Sequence, residues 1–85
     1  MFYVYVLKSQ KDKKFYVGYT NDLKQRLLAH EEGKVYSTKN RRPIELIYYE
    51  ASRQSADALK REKYLKTTYG KRYIKTRLKQ DLEEG

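Results

Sequence analysis

Two residues of one predicted helix carry side chains that could act together on a phosphate group. Arg26 and His30 are four positions apart, which places them about 40° apart around a helix axis. The arginine offers a planar, permanently charged fork for phosphate oxygens, and the histidine can donate, accept or transfer a proton near neutral pH. A lone histidine at the edge of an apolar stripe is more often an ordinary surface residue. The pair therefore indicates chemistry only if other groups join it.

An acidic residue, Glu62, lies on the apolar side of a later predicted helix. Four apolar residues fall within about 60° of it around the axis: Ala58, Leu59, Leu65 and Tyr69. A carboxylate at such a position is desolvated unless it is paired or binds a cation. Two interpretations stay open, an ion pair with Arg61 or Lys66 at the edge of the stripe, or a ligand for a divalent metal ion.

Tyrosines alternate along two predicted strands. If the hairpin pairs Lys8 with Phe15, then Tyr5 lies opposite Gly18, and Tyr5 and Tyr16 share one face of the sheet. A glycine within a strand often marks the close approach of a ring, a backbone or a ligand, which makes Gly18 a candidate structural residue. Strand propensity alone would also account for the tyrosines.

The elements that position these groups can be read from the apolar pattern. Aromatic and β-branched runs at 2–7 and 15–19 flank a polar segment and predict a hairpin. Cap residues at 20–22 and Gly33 delimit a first helix over 22–32. A loop over 34–43 then leads into a third strand at 44–51.

Two further helices complete the predicted fold. The second begins at Ser52 or Ser55, runs to about Tyr69 and ends at Gly70, and a shorter one covers 72–82. The order β-β-α-β-α-α predicts an α+β fold with a small three-stranded antiparallel sheet flanked by helices. We expect one domain over 1–80 and an acidic, frayed tail at 81–85.

The composition excludes several function classes. A chain of 85 residues makes one domain, and the absence of cysteine removes disulfides, cysteine-based zinc sites and thiol catalysis. The longest apolar run, at 2–7, is too short for a membrane span or a signal peptide. These features predict a cytoplasmic protein with no membrane partner.

The net charge of +9 predicts a polyanionic partner. Nine basic residues and a single acidic residue lie between Lys60 and Lys79. With ten tyrosines in the chain, this pattern favours phosphate contact and ring stacking on nucleic acid over adsorption to a membrane. The candidate phosphate contacts are Lys39, Arg41, Arg42, Arg61, Lys63, Lys66, Lys71 and Arg72.

The ordered set of groups resembles the GIY-YIG nuclease superfamily. The two signature tripeptides appear as Tyr3-Val4-Tyr5 and Tyr16-Val17-Gly18, and Arg26, His30 and Glu62 follow them. The similarity extends from Phe2 to about Leu78, and it is greatest to the small stand-alone bacterial members described as endonucleases. The superfamily also includes nucleases that cut branched DNA.

The resemblance implies an endonuclease that hydrolyses DNA with the help of Mg²⁺ or Mn²⁺, with low sequence specificity. Glu62 would bind the metal ion, Arg26 would contact the scissile phosphate, and His30 would orient a tyrosine or relay its proton. Either Tyr5 or Tyr16 would activate the attacking water, and the sequence leaves this choice open. Selectivity for single strands, flaps or branches, and a role in DNA repair, are compatible with the resemblance.

Departures from the family pattern favour an alternative. Tyr3 stands where the family has its first glycine, and Tyr19 where excision-repair members have lysine. No asparagine follows Asn40, whereas many relatives have one downstream of the glutamate. The alternative is a non-catalytic or weakly catalytic nucleic-acid-binding module on the same fold, with RNA and a protein partner also open. A third interpretation, a basic protein that docks an acidic partner, predicts no affinity for nucleic acid.

Overall fold

The computed structural model describes residues 1–84 and contains one antiparallel sheet of three strands. The strands are β1 (Phe2–Ser9), β2 (Phe15–Thr20) and β3 (Ile44–Ser52), in the order β2-β1-β3. The helices are α1 (Leu23–Glu31), α2 (Tyr36–Lys39), α3 (Ser55–Leu65), α4 (Thr68–Arg77) and α5 (Lys79–Glu84). The predicted α+β class and the three-stranded antiparallel sheet are confirmed. Within residues 1–84, no helix is long and apolar enough to cross a membrane.

The hairpin adopts the register that places Tyr5 and Tyr16 on one face of the sheet. Lys8 pairs with Phe15, and Tyr5 pairs with Gly18. The turn is fixed by the buried hydroxyl of Ser9, which accepts the backbone N–H of Lys11 at 3.1 Å and donates to the carbonyl oxygen of Arg41 at 2.6 Å. These bonds stabilise the turn and tie it to the segment before β3, so a one-residue slip would break them.

The two faces of β1 are covered by different helices. Its even-numbered residues contribute Val4 and Val6 to an apolar cluster with Ala58 and Leu65 of α3 and Ile74 of α4. Its odd-numbered residues therefore point toward the opposite face. Tyr5 contacts residues of α1 on that face.

The second predicted helix, which corresponds to α3, is shorter than the sequence indicated. α3 ends at Leu65, and α4 begins at Thr68 because the Thr67 hydroxyl caps it by accepting the N–H of Gly70 at 3.1 Å. The prediction that Gly70 ends a helix reaching Tyr69 is wrong. Gly70 lies inside α4, where a Cβ would collide with the carbonyl oxygen of Tyr64. Tyr69 is 70% exposed and is not part of the stripe beside Glu62.

Other boundaries also differ from the prediction. The segment 34–43 contains the one-turn helix α2, and the predicted helix over 72–82 is interrupted at Leu78, between α4 and α5. Residues 79–84 are helical, although a frayed tail was expected from 81, and Gly85 lies outside the described residues. The first helix forms as predicted, with Asp22 as its N-cap and Gly33 at a φ of +77° after its end.

Candidate active site

Tyr5 occupies the centre of the site because β2 has a glycine opposite it. The side chain is fully buried, and a Cβ on Gly18 would collide with the Tyr5 ring. The ring therefore lies across the backbone of the neighbouring strand, as the predicted close approach at Gly18 requires. A larger residue at position 18 would exclude the ring from this position.

A chain of hydrogen bonds connects Tyr5 to α1 and α2. The Tyr5 hydroxyl lies 2.8 Å from Nε2 of His30, and Nδ1 of His30 lies 2.7 Å from the Thr38 hydroxyl. The Thr38 hydroxyl has the Val35 carbonyl oxygen at 3.5 Å as its own acceptor. This network assigns the hydrogen to Nδ1 of His30, so that Tyr5 donates to the free lone pair on Nε2.

His30 is neutral at neutral pH. It is completely buried, and desolvation, followed by the positive charge of Arg26, lowers its pKa to about 4. In the structure the neutral imidazole accepts the hydrogen bond of the Tyr5 phenol, which is compatible with the expected role of orienting a tyrosine.

Arg26 joins the two tyrosines. Its Nε donates to the Tyr5 hydroxyl oxygen at 3.3 Å. Interaction with the oxygens of Tyr5 and then Tyr16 raises the pKa of Arg26. The Tyr16 ring lies 6.4 Å from the Tyr5 ring and 5.2 Å from the His30 ring, measured between centroids. The structure thus brings four of the five predicted catalytic side chains together.

The phenol of Tyr5 is held in its protonated form. Burial raises its pKa, and the hydrogen bond from Arg26 opposes this effect. The hydroxyl donates to His30 and accepts from Arg26, so both roles of the group are taken. Tyr16 is only half-buried and has a side that faces solvent.

Glu62 reaches the same region from α3. Its negative charge contributes to the raised pKa of Tyr5. Its side chain is 19% exposed, and one carboxylate oxygen lies 3.3 Å from Nζ of Lys66 one turn later. Of the two partners that the sequence left open, the structure selects Lys66, because Arg61 pairs elsewhere.

A metal site here would rest on a single carboxylate. Within residues 1–84, no group of three or more His, Asp or Glu side chains could hold a metal ion. Mg²⁺ commonly keeps several waters and takes one or two protein carboxylates together with phosphate oxygens. The single, partly exposed carboxylate of Glu62 fits that ligand habit, and it does not fit a closed structural metal site.

Several predicted phosphate contacts make internal contacts instead. Arg61 forms an ion pair with Glu50 at 3.0 Å and stacks on the rings of Tyr64 and Tyr73. These contacts connect β3, α3 and α4 and leave the guanidinium only partly exposed. A phosphate would have to compete with a carboxylate already in place.

The basic group before β3 is also partly occupied. Arg42 donates to the carbonyl oxygens of Lys39 at 2.9 Å and Glu31 at 3.2 Å, and Arg41 pairs with Asp12 at 3.3 Å. Four predicted contacts remain exposed and have no carboxylate partner among residues 1–84: Lys39, Lys63, Lys71 and Arg72. The internal contacts of Arg41, Arg42, Arg61 and Lys66 leave these four cations less available to a phosphate than the other four.

Thr38 is the residue of the site that the sequence did not reveal. It is completely buried, and its hydroxyl fixes the ring of His30. It lies in a segment that the sequence presents as a loop, and threonine is common at such positions. Only the packing of α2 against α1 gives it this role.

A cavity of about 610 Å³ is lined by His30 together with Leu7, Leu27 and Leu46, among others. Tyr16, Arg26 and Glu62 are not part of its lining. These three partly exposed side chains therefore lie outside the cavity, which suits a polymeric substrate better than an enclosed small molecule.

Comparison with known proteins gives consistent matches. The family model described as the GIY-YIG catalytic domain matches residues 1–78. A UPF0213 protein of Bacillus pumilus is 43% identical over 81 residues, which cover 94% of this chain and 74% of the relative. The UPF0213 protein YazA of Bacillus subtilis is 45% identical over 65 residues, which cover 75% of this chain and 65% of the relative. The names of these relatives state no activity, and no solved structure matches the chain.

Proposed function

Since the chain belongs to the GIY-YIG nuclease family, we propose that it is a divalent-metal-dependent endonuclease that hydrolyses DNA phosphodiester bonds with low sequence specificity. The observation that carries the proposal is the hydrogen-bonded group of Tyr5, His30 and Arg26, which has Tyr16 beside it and the charge of Glu62 acting on it. A binding module has no need for a buried histidine that orients a phenol next to an arginine.

Arg26 is the group that stabilises charge on the phosphate. Its Nε donates to Tyr5, and the guanidinium has further N–H groups that can donate to phosphoryl oxygens. Charge that grows on those oxygens during hydrolysis is stabilised most by a donor that is already in position. Tyr5, His30 and Thr38 are positioning residues that fix the orientation of Arg26.

Tyr16 is the residue that we assign to water activation. The base must contact a water molecule in the substrate complex, and Tyr5 is buried with both hydrogen-bonding roles taken. Tyr16 is partly exposed, and the guanidinium of Arg26 interacts with it.

Glu62 would hold the metal ion, Mg²⁺ or Mn²⁺, with water and phosphate oxygens as the remaining ligands. When bound, the ion supplies positive charge that stabilises the leaving 3′ oxygen. Lys66 neutralises Glu62 in the structure, so metal binding would release this lysine to contact the phosphate backbone. The low sequence specificity follows from contacts to phosphate alone, which do not distinguish bases.

The test is a cleavage assay on labelled single-stranded, duplex, flapped and branched DNA, with RNA as a further substrate, in Mg²⁺, Mn²⁺ or EDTA. Cleavage should require metal, and Glu62→Gln and Arg26→Ala should each lower the rate about 100-fold or more. Glu45→Gln is the matched control, because Glu45 is an exposed carboxylate whose recorded side-chain contact is a 3.4 Å hydrogen bond from Gln10. Cleavage that survives in EDTA or in Glu62→Gln would overturn the proposal.

The alternative, a nucleic-acid-binding module with little or no activity, is favoured by the missing downstream asparagine. It predicts DNA binding without cleavage in any metal, and binding that Glu62→Gln leaves unchanged. The same assay separates the two functions, because it measures bound and cleaved DNA in parallel.

A further inference from the structure

A second basic surface lies where the hairpin turn meets α4. Two adjoining cavities of about 660 Å³ and 360 Å³ share Lys13, Phe15 and Lys75 in their linings. We call this surface the lysine trough. Its lysines are Lys8, Lys13, Lys14, Lys71, Lys75 and Lys79.

The positive charge of the trough is largely unpaired. Within residues 1–84 none of its six lysines forms an ion pair, and its lining includes the two carboxylates Asp12 and Glu83. Asp12 is already paired with Arg41. Like charges gathered without counter-charges repel one another, and a polyanion relieves that repulsion. This differs from Arg61 and Lys66, which the fold neutralises with Glu50 and Glu62.

The fold arranges these lysines in two rows. Lys71 and Lys75 lie four residues apart on one side of α4, and Lys79 at the start of α5 lines the same cavity as Lys75. Lys13 and Lys14 come from the turn, where Lys13 adopts a φ of +62°. Phe15 packs against the apolar cluster between them and gives the trough an aromatic wall.

The trough is separate from the active site but close to it along the chain. Phe15 and Tyr16 are consecutive in β2, so their side chains point to opposite faces of the sheet. Tyr16 lies beside His30 on one face, and Phe15 lines the trough on the other. Because β2 is an edge strand, a nucleic-acid backbone can pass from one face to the other around it.

We propose that the lysine trough is a second binding site for nucleic-acid phosphates, and that it holds the part of the substrate that flanks the cut. The proposal rests on the proposed function for the identity of the polyanion. The active site contacts the scissile phosphate, and the trough contacts phosphates farther along the same strand or arm. The longest dimension of the molecule is 33 Å, so both sites together cover at most about 10 base pairs.

Binding in EDTA tests the trough without cleavage. The variant Lys71→Ala/Lys75→Ala/Lys79→Ala should bind a duplex of about 30 base pairs at least tenfold more weakly than the wild type near 0.1 M salt. The slope of log affinity against log salt should fall by about 2.7, since each lost phosphate contact contributes about 0.9. Alanine preserves helix propensity at these exposed positions, and circular dichroism checks the fold.

The matched control removes the same charge elsewhere. Lys24→Ala/Arg53→Ala/Lys60→Ala replaces three exposed cations that form no ion pair within residues 1–84. This control should lose clearly less affinity than the trough variant. Equal affinity and equal salt slopes in the two variants would overturn the proposal.

Lysine acetylation followed by mass spectrometry gives a direct readout. Bound duplex should protect Lys75 and Lys79 from acetylation several-fold, and unchanged modification would contradict the proposal. A poly-glutamate peptide serves as the comparison ligand, at the same concentration of negative charge. If it protects these lysines equally well, the ligand of the trough would be an acidic protein and not nucleic acid. Glu62→Gln should lose cleavage but keep the protection of these lysines. The two proposals can therefore fail independently of each other.

Discussion

The two faces of the sheet are built from the same three strands but use different interactions. On one face, Val4, Val6 and Val17 form an apolar cluster with Ala58 and Leu65 of α3 and Ile74 of α4, and the ion pair between Arg61 and Glu50 lies beside this cluster. On the other face, Tyr5 is equally buried, and its partners are polar: His30, Arg26 and, through the histidine, Thr38. Every buried side-chain nitrogen and oxygen within the described residues has a partner.

The comparison shows how a chain of 85 residues can separate stability from chemistry. Apolar packing tolerates exchange of one aliphatic side chain for another of similar volume. A buried hydrogen-bonded chain loses its function when one member is replaced, because the remaining groups are left without partners. The apolar face should therefore control the free energy of unfolding, and the polar face the rate of cleavage.

The largest expected effect is a loss of stability when a side chain of the apolar face is truncated. Ile74→Ala should lower the free energy of unfolding by about 2–5 kcal/mol, since it leaves a cavity at a side chain that is 1% exposed. Urea unfolding measures the loss, and the cleavage rate per folded molecule should stay within about twofold. A large loss of rate with little loss of stability would contradict the division between the faces.

The next prediction compares substitutions at two consecutive residues of β2 that face opposite sides of the sheet. Gly18→Ala introduces a Cβ that collides with the Tyr5 ring, and we expect a loss of about 100-fold in the cleavage rate and about 1–3 kcal/mol in stability. Val17→Ala, one residue away on the apolar face, should lower stability and leave the rate of the folded protein nearly unchanged. Parallel kinetic and unfolding measurements on both variants check this contrast. Equal rates in the two variants would show that the Tyr5 ring is not confined.

The contribution of His30 to stability should appear in the pH dependence of the free energy of unfolding. The unfolded chain takes up a proton near pH 6.5, whereas the buried histidine takes one up only near its lowered pKa of about 4. Between these values the unfolded state binds more protons, so stability falls as the pH falls, by about 2 kcal/mol from pH 6.5 to 5. His30→Gln should remove this component from urea unfolding curves measured at several pH values. A slope that is unchanged in the variant would exclude His30 as its source.

The smallest effect concerns the far end of the polar chain. Thr38→Val removes the acceptor of the His30 Nδ1 hydrogen, and we expect a loss of about 1–2 kcal/mol in stability and about tenfold in kcat. Thr38→Ser keeps the hydroxyl and should restore most of the rate, which a purely structural role would not predict. Steady-state kinetics on both variants distinguish the two roles.

Local patterns predicted the hairpin and the two faces of each of its strands. The period-two alternation fixes which side chains of one strand share a face, but it left the register open, and the register that the hairpin adopts places Tyr5 opposite Gly18. The first helix was also predictable, because Asp22 caps it and Gly33 follows its end.

Contacts between distant segments could not be predicted. The ion pair between Arg61 and Glu50 joins α3 to β3, and no residue pattern names the partner of a surface arginine. The boundary between α3 and α4 depends on the Thr67 cap, which competes with the more obvious signal of Gly70. Glu62 was recognisable as an unusual carboxylate, but only the packing of α3 brings its charge to Tyr5.

The order of the strands also bears on how the molecule assembles. β1 is central and pairs with β2 across a short turn, whereas its partner β3 follows only after α1 and α2. Hairpins close in roughly 1–10 μs, and pairing across longer loops is slower. Tyr5 and Tyr16 are therefore brought into alignment by the most local pairing in the sheet. Their polar partners His30 and Arg26 come from α1, the helix that directly follows β2 in the chain.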